Sequence, residues 1–200
     1  YAYPRSVDTE QVGAIKAGQL LVEINSFANP YPIQLCQLRC FLTDFFVQTG
    51  NEQSIEKYDM QPFDVPVLDK RRTLTEKLVS LLRFSLANNP MPELQAKIRH
   101  FYDLHFLSHD DGCRTYLESP DFRDDFQNLF EHDRQSFSKP AGWQDKELKD
   151  SPLITNFHEL WATLQNTYLR ELPDLAYQEV PSAESIEQSV TELIKVLVCQ

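Results

Sequence analysis

The chain has 200 residues, of which 42% are hydrophobic and 24% charged, with a formal net charge of −11. That is the balance of a soluble globular chain, and no window approaches the roughly 18 uninterrupted apolar residues of a membrane-spanning helix. Residues 1–100 carry 11 acidic and 11 basic side chains, whereas residues 101–200 carry 19 and 8. All of the excess negative charge therefore sits in the second half. It serves either as a solvated acidic surface or as a face that turns a phosphate backbone toward the first half.

Four cysteines (Cys36, Cys40, Cys113, Cys199) are too few and scattered for a disulfide framework, which points to a reducing, cytoplasmic setting. Tyr1-Ala2-Tyr3-Pro4-Arg5 holds neither an initiating Met nor a signal segment, so the chain is expected to be a piece of a longer polypeptide.

Along the chain, Gln19–Phe27 reads as a strand with Glu23 between apolar neighbours, followed by a turn over Ala28–Pro32. Leu35, Leu38, Phe41, Leu42, Phe45 and Phe46 fall at helical spacing, so Ile33–Gln48 is expected to be helical and to stop at Gly50-Asn51. On such a helix Cys36 and Cys40 would lie one turn apart, as packing residues or as two metal ligands. Pro62–Leu68 reads as a short strand whose Pro66 suits an edge.

Helical character then takes over. Thr73-Leu74-Thr75-Glu76 has the form of a capping box, and Leu78, Leu81, Leu82 and Leu86 line the helix behind it. Pro92-Glu93 opens a second helix with a stripe of Leu94, Ile98, Phe101, Tyr102, Leu104, Phe106 and Leu107, with Gly112 beyond its end. Further helices are expected over Thr115–Glu118, Pro120–Ser136, Asn156–Glu171 and Ala183–Val198, with a loop at Ser138–Ser151. The expected architecture is α+β: a small partial α/β domain over residues 1–72, then a helical bundle over 73–200.

Several residues stand out chemically. Glu23 is either a solvent-facing carboxylate by strand alternation or a hard-cation ligand, and one carboxylate alone cannot complete such a site. Lys77, one turn into the capped helix, is either an ordinary surface charge or a phosphate contact. Arg99 and Asp103 are spaced i,i+4, which predicts an ion pair on one face. His105 and His109 share that spacing but lack the Glu of a zinc-protease motif. With 5 glycines in the whole chain, a loop that cradles phosphate is poorly supported.

The order of these segments resembles the nucleotidyltransferase AbiEii/AbiGii toxin family, of the DNA polymerase β-like superfamily. The resemblance rests on Val22-Glu23-Ile24, on Arg72-Thr73-Leu74-Thr75-Glu76-Lys77-Leu78 and on Lys97-Ile98-Arg99-His100-Phe101-Tyr102-Asp103-Leu104, and it covers most of residues 15–200. It implies a partial nucleotidyltransferase-like sheet followed by the bundle, with Mg²⁺ and an NTP as cofactors. Glu23 would match the third metal carboxylate, and Lys77 the lysine that holds the triphosphate. Arg83 would be a further basic contact, with Asp103 catalytic beside Arg99. It also implies a toxin of a toxin–antitoxin pair serving phage defence, an antitoxin partner, and an RNA, nucleotide or protein hydroxyl as acceptor. The family's Gly-Ser turn and D-x-D pair are missing; Asp8 and Glu10 have the spacing without the turn. This stretch alone is therefore expected not to catalyse nucleotidyl transfer. The competing expectation is a non-catalytic helical module whose acidic face binds a basic partner such as the antitoxin.

Overall fold

The computed structural model describes residues 32–176 and 179–198; the expected strand at Gln19–Phe27, and Glu23 within it, lie outside them. The fold is α+β and mostly helical. Strand β1 (Ile33–Leu38) is followed by helices α1 (Phe41–Gln48) and α2 (Gln53–Lys57), then by strand β2 (Phe63–Leu68). The strands pair antiparallel, with Ile33 opposite Leu68 and Leu38 opposite Phe63.

The expected helix over Ile33–Gln48 is thus corrected. Its first six residues are a strand, and only Phe41–Gln48 is helical. Leu35 and Leu38 satisfy a helical stripe as well as a strand, and pairing with the distant Val65–Pro66 segment decides between them. Cys36 consequently lies in β1 and Cys40 caps α1, so the two do not share a helical turn. Pro66 stands opposite Leu35 in a two-stranded ladder, where an outer edge accommodates a residue without an N–H.

Helix α3 spans Lys70–Ser85, starting four residues earlier than the Thr-x-x-Glu pattern, with Thr73 as cap, suggests. Asp69 is the N-cap, its Oδ1 accepting from the Arg71 backbone N–H at 2.8 Å. Glu76 binds Arg72 at 2.9 Å instead of reaching back to close a box. The expected long helix from Pro92 breaks at Ala96–Lys97 into α4 (Pro90–Gln95) and α5 (Ile98–His109), and Gly112 falls inside α6 (Asp111–Leu117). Helix α7 (Pro120–Ser136) matches its expected limits, and a short 3₁₀ turn (Leu148–Asp150) ends the following loop. Helices α8 (Pro152–Thr155), α9 (Phe157–Glu171) and α10 (Ala183–Val198) complete the described chain.

One apolar core joins these helices. Leu74, Leu78, Leu81 and Leu82 of α3 meet Phe101 and Leu104 of α5, all buried. Phe101 lies 5.3 Å from the Trp161 ring and 6.3 Å from Phe157. The indole N–H groups are satisfied, Trp161 donating to Ala183 O and Trp143 to Phe137 O, both at 3.0 Å. The buried hydroxyls of Ser85 and Ser151 bond to each other at 2.6 Å and tie α3 to the start of α8.

Phe101 touches aromatic rings of α9 and is fully buried, so its truncation leaves a cavity that the rings cannot close. Phe101→Ala is expected to lower unfolding free energy by about 3–5 kcal/mol, read from urea or guanidinium unfolding.

Candidate functional site

The packing of α3 on α5 sets the site. The leucines of α3 turn inward, so Lys77 falls at the border of the buried stripe, and Asp103 takes the matching place on α5 beside buried Leu104. Lys77 Nζ meets Asp103 Oδ2 at 2.6 Å, with the two side chains 23% and 35% exposed. An open pocket of about 340 Å³ surrounds the pair, lined by Thr73, Lys77, Tyr102, Asp103, Phe106 and Leu107. It is walled by aromatic rings, Tyr102 and Phe106 standing 4.9 Å apart.

Two expectations change here. Because α3 starts at Lys70, Lys77 lies about two turns in, beyond the first turn where the helix dipole acts on an anion. Its attraction for phosphate must come from its own charge. Asp103 pairs across helices with Lys77, not along its own helix with Arg99. Arg99 is exposed in the first turn of α5 and makes no ion pair among the described residues.

Arg83 is placed differently again. Its Nη1 donates to Asp133 Oδ2 of α7 at 2.9 Å, each side chain only 13% exposed. The guanidinium lies 4.5 Å from the Phe137 ring centroid, 5.0 Å from Phe84 and 5.9 Å from Trp143. Burial raises the Asp133 carboxyl above its ordinary range while Arg83 opposes that rise. Arg83 does not line the Lys77–Asp103 pocket, and its charge is already committed to Asp133.

His100, one turn before Asp103, was not assigned a role by sequence. Burial, reinforced by the charges of Lys77 and Lys97, pushes its imidazole down to about 4. Its Nδ1 is buried without a hydrogen-bond partner. The signal for it was the i,i+3 spacing to Asp103, which places both on one helix face.

Among the described residues no group of three or more His, Cys, Asp or Glu is arranged to hold a metal ion. The His105 and His109 rings lie tilted with centroids 4.6 Å apart, yet His105 Nδ1 is bonded to Ser189 Oγ at 2.8 Å and His109 Nδ1 to His105 O at 2.7 Å. The described residues therefore do not fit a divalent cation, and Glu23, the candidate metal carboxylate, lies outside them.

The family model described as "Nucleotidyl transferase AbiEii toxin, Type IV TA system" matches residues 3–189. The chain belongs to that family. Neither a curated relative nor a solved structure matches it. The match embraces both helices of the Lys77–Asp103 pocket, and the family so described is one of nucleotidyl transferase toxins of type IV toxin–antitoxin systems. No helix among the described residues is long and apolar enough to cross a membrane.

Two measurements check these placements. Asp133→Ala leaves the Arg83 guanidinium buried and unpaired, so a loss of about 3–5 kcal/mol is expected in denaturant unfolding. For His100 the folded pKa lies below the unfolded value of about 6.5, so the unfolded chain binds the extra proton between the two. The stabilisation is thus complete above about pH 6.5 and is lost as pH falls toward 4. Unfolding free energy should drop between pH 7 and 4.5 by up to about 3 kcal/mol more in wild type than in His100→Gln.

Proposed function

We propose that the Lys77–Asp103 pocket is the nucleotide site of a nucleotidyltransferase toxin acting, in the complete protein, on an NTP. The observation that supports this most is the ion pair itself, partly exposed at the rim of an open pocket. A lysine held there by one carboxylate is oriented toward the opening, and an incoming triphosphate offers it several oxygens in place of one. When Lys77 turns to phosphate, Asp103 is released as a carboxylate beside the pocket. It then accepts the proton of the attacking hydroxyl as that oxygen bonds to the α-phosphorus and pyrophosphate leaves. Lys77 neutralises charge that develops on the departing phosphates. The aromatic wall of Tyr102 and Phe106 offers apolar surface to a base or ribose. Arg99, exposed one turn from Asp103, adds positive charge at the approach to the site.

In this reading the nucleotide's divalent metal, Mg²⁺ in the simplest case, is met by Glu23 and by carboxylates other than those of the described residues, and no step above depends on it. Arg83 serves the site from behind, by fixing α3 to α7 through Asp133. The acceptor is a hydroxyl of RNA, of a nucleotide or of a protein. The antitoxin partner approaches the acidic second half of the chain, where complementary charge accelerates encounter and makes it sensitive to salt. That last feature also favours a second reading, a helical module that binds the antitoxin without catalysis, since the net charge of −11 is confined to residues 101–200.

Calorimetric titration with NTP separates the two. Lys77→Ala should abolish or weaken NTP binding at least tenfold, while the pair's exposure limits the loss of stability to about 1 kcal/mol or less. An affinity unchanged by the substitution removes Lys77 from the site, and a chain that binds no NTP supports the interaction module.

A further inference from the structure

The small sheet leaves one of its edges open, and the hydrogen-bond pattern identifies it. The Asp69 N–H donates to Pro32 O at 2.9 Å, which continues the ladder one pair beyond Ile33–Leu68. Antiparallel pairing alternates, so the bonded pairs within the strands are Gln34–Val67, Cys36–Val65 and Leu38–Phe63. The N–H and C=O groups of Ile33, Leu35 and Gln37 therefore point away from β2. The same alternation turns Asp64, Pro66 and Leu68 outward on β2, and Pro66 has no N–H to offer there. β2 is thus blunted in mid-strand, whereas Ile33–Leu38 contains no proline. Among the described residues no further strand lies beside β1.

Two strands alone form a marginal sheet in water, and this one also carries apolar side chains in the open. Leu35 is 72% exposed, Phe63 59% and Leu38 45%, while Cys36, Val65 and Val67, on the face of Leu38 and Phe63, are half-buried. A third strand answers both the unpaired edge and the exposed apolar surface, provided that its side chains alternate to match. The chain immediately before β1 has that pattern, since Val22 and Ile24 alternate with Glu23 and Asn25. The connection from Phe27 to Ile33 is the five residues Ala28–Pro32, a length that hairpins use, and its two prolines stiffen it.

We propose that Gln19–Phe27 docks on the open edge of β1 as an antiparallel third strand, with Phe27 opposite Ile33, Asn25 opposite Leu35 and Glu23 opposite Gln37. Those pairs use the outward N–H and C=O groups of β1. Ile24 then stands opposite Cys36 and Val22 opposite Leu38, which extends the apolar face that includes Val65 and Val67. Glu23 and Asn25 fall on the other face, alongside Gln37 and Asp64. A slip by one residue reverses both assignments and sets Glu23 beside Cys36, so burial selects the register. The outer edge of β2, blocked by Pro66, takes no strand. The docking stands apart from nucleotide binding at the Lys77–Asp103 pocket.

Disulfide trapping in the 200-residue chain tests this. Ile24→Cys places a thiol opposite native Cys36 in a non-hydrogen-bonded pair, where Cα atoms stand about 4.5 Å apart, within reach of a disulfide. Diamide oxidation and peptide mass mapping should show position 24 bridged to Cys36. In Asn25→Cys the new thiol is on the opposite face, and position 25 should stay unbridged. Equal bridging from both positions overturns the register. Bridging between two chains, seen as a dimer on a non-reducing gel, overturns the proposal in favour of a second copy at the edge. Amide hydrogen exchange of the unsubstituted chain, resolved by NMR, gives a reading independent of whether the variants fold. The Leu35 and Gln37 N–H groups should exchange about tenfold or more slower than in an unstructured chain, as those of Gln34 and Cys36 do. Open-chain exchange at Leu35 and Gln37 overturns the docking.

Discussion

The seam between α3 and α5 is the constraint on which the other features depend. Four leucines of α3 and two apolar residues of α5 are buried against each other, and the contact fixes both the axial register and the rotation of the helices. Once Leu74, Leu78 and Leu81 point inward, Lys77 has no freedom to face anywhere but the edge of the same interface. The equivalent constraint on α5, set by Phe101 and Leu104, brings Asp103 to that edge. The ion pair is thus a consequence of hydrophobic register, and its own energy is small beside the burial that positions it.

Two lysine- or arginine-to-aspartate pairs start from the same helix six residues apart, and exposure separates their roles. Arg83 and Asp133 are each 13% exposed and ringed by aromatic side chains. Breaking that pair strands a charge in a medium that cannot solvate it, so neither partner is available to a ligand. Lys77 and Asp103 are 23% and 35% exposed at a pocket mouth. Water already reaches them, so parting this pair costs little. The same residue chemistry yields a buried rivet in one place and a solvent-reached pair in the other. The sequence contains both pairs, but nothing in spacing alone distinguishes them, because Asp133 and Asp103 lie 50 and 26 residues from their partners.

How far the fold could be read in advance follows the range of the forces involved. Helices α7 and α10 were legible to the residue because amphipathic periodicity, and for α7 a proline at its first turn, are local signals. The segment Ile33–Leu38 was not, since its identity as a strand depends on Phe63–Leu68 across an intervening pair of helices. The start of α3 was missed because Asp69, a cap of equal quality, precedes the Thr-x-x-Glu pattern and extends the helix by a turn. Lys77 and Asp103 were legible as residues through family resemblance, yet their partnership was not. Arg99 at i−4 is the nearest cation to Asp103 in sequence, and only the tertiary rotation of α5 turns Asp103 toward α3 instead.

That rotation also explains why a histidine stands where it does. A side chain one turn before Asp103 must face the same interface, where Lys77 and Lys97 already crowd positive charge. A lysine or arginine there would add a third like charge at a desolvated position, and a carboxylate would compete with Asp103 for Lys77. An apolar residue would remove any polar group from the seam. Imidazole is the side chain that stays neutral under those conditions, even with its Nδ1 buried and unpartnered. The electrostatic demand comes from the packing of α3 on α5, and a ring that stays neutral there leaves the Lys77–Asp103 pair undisturbed.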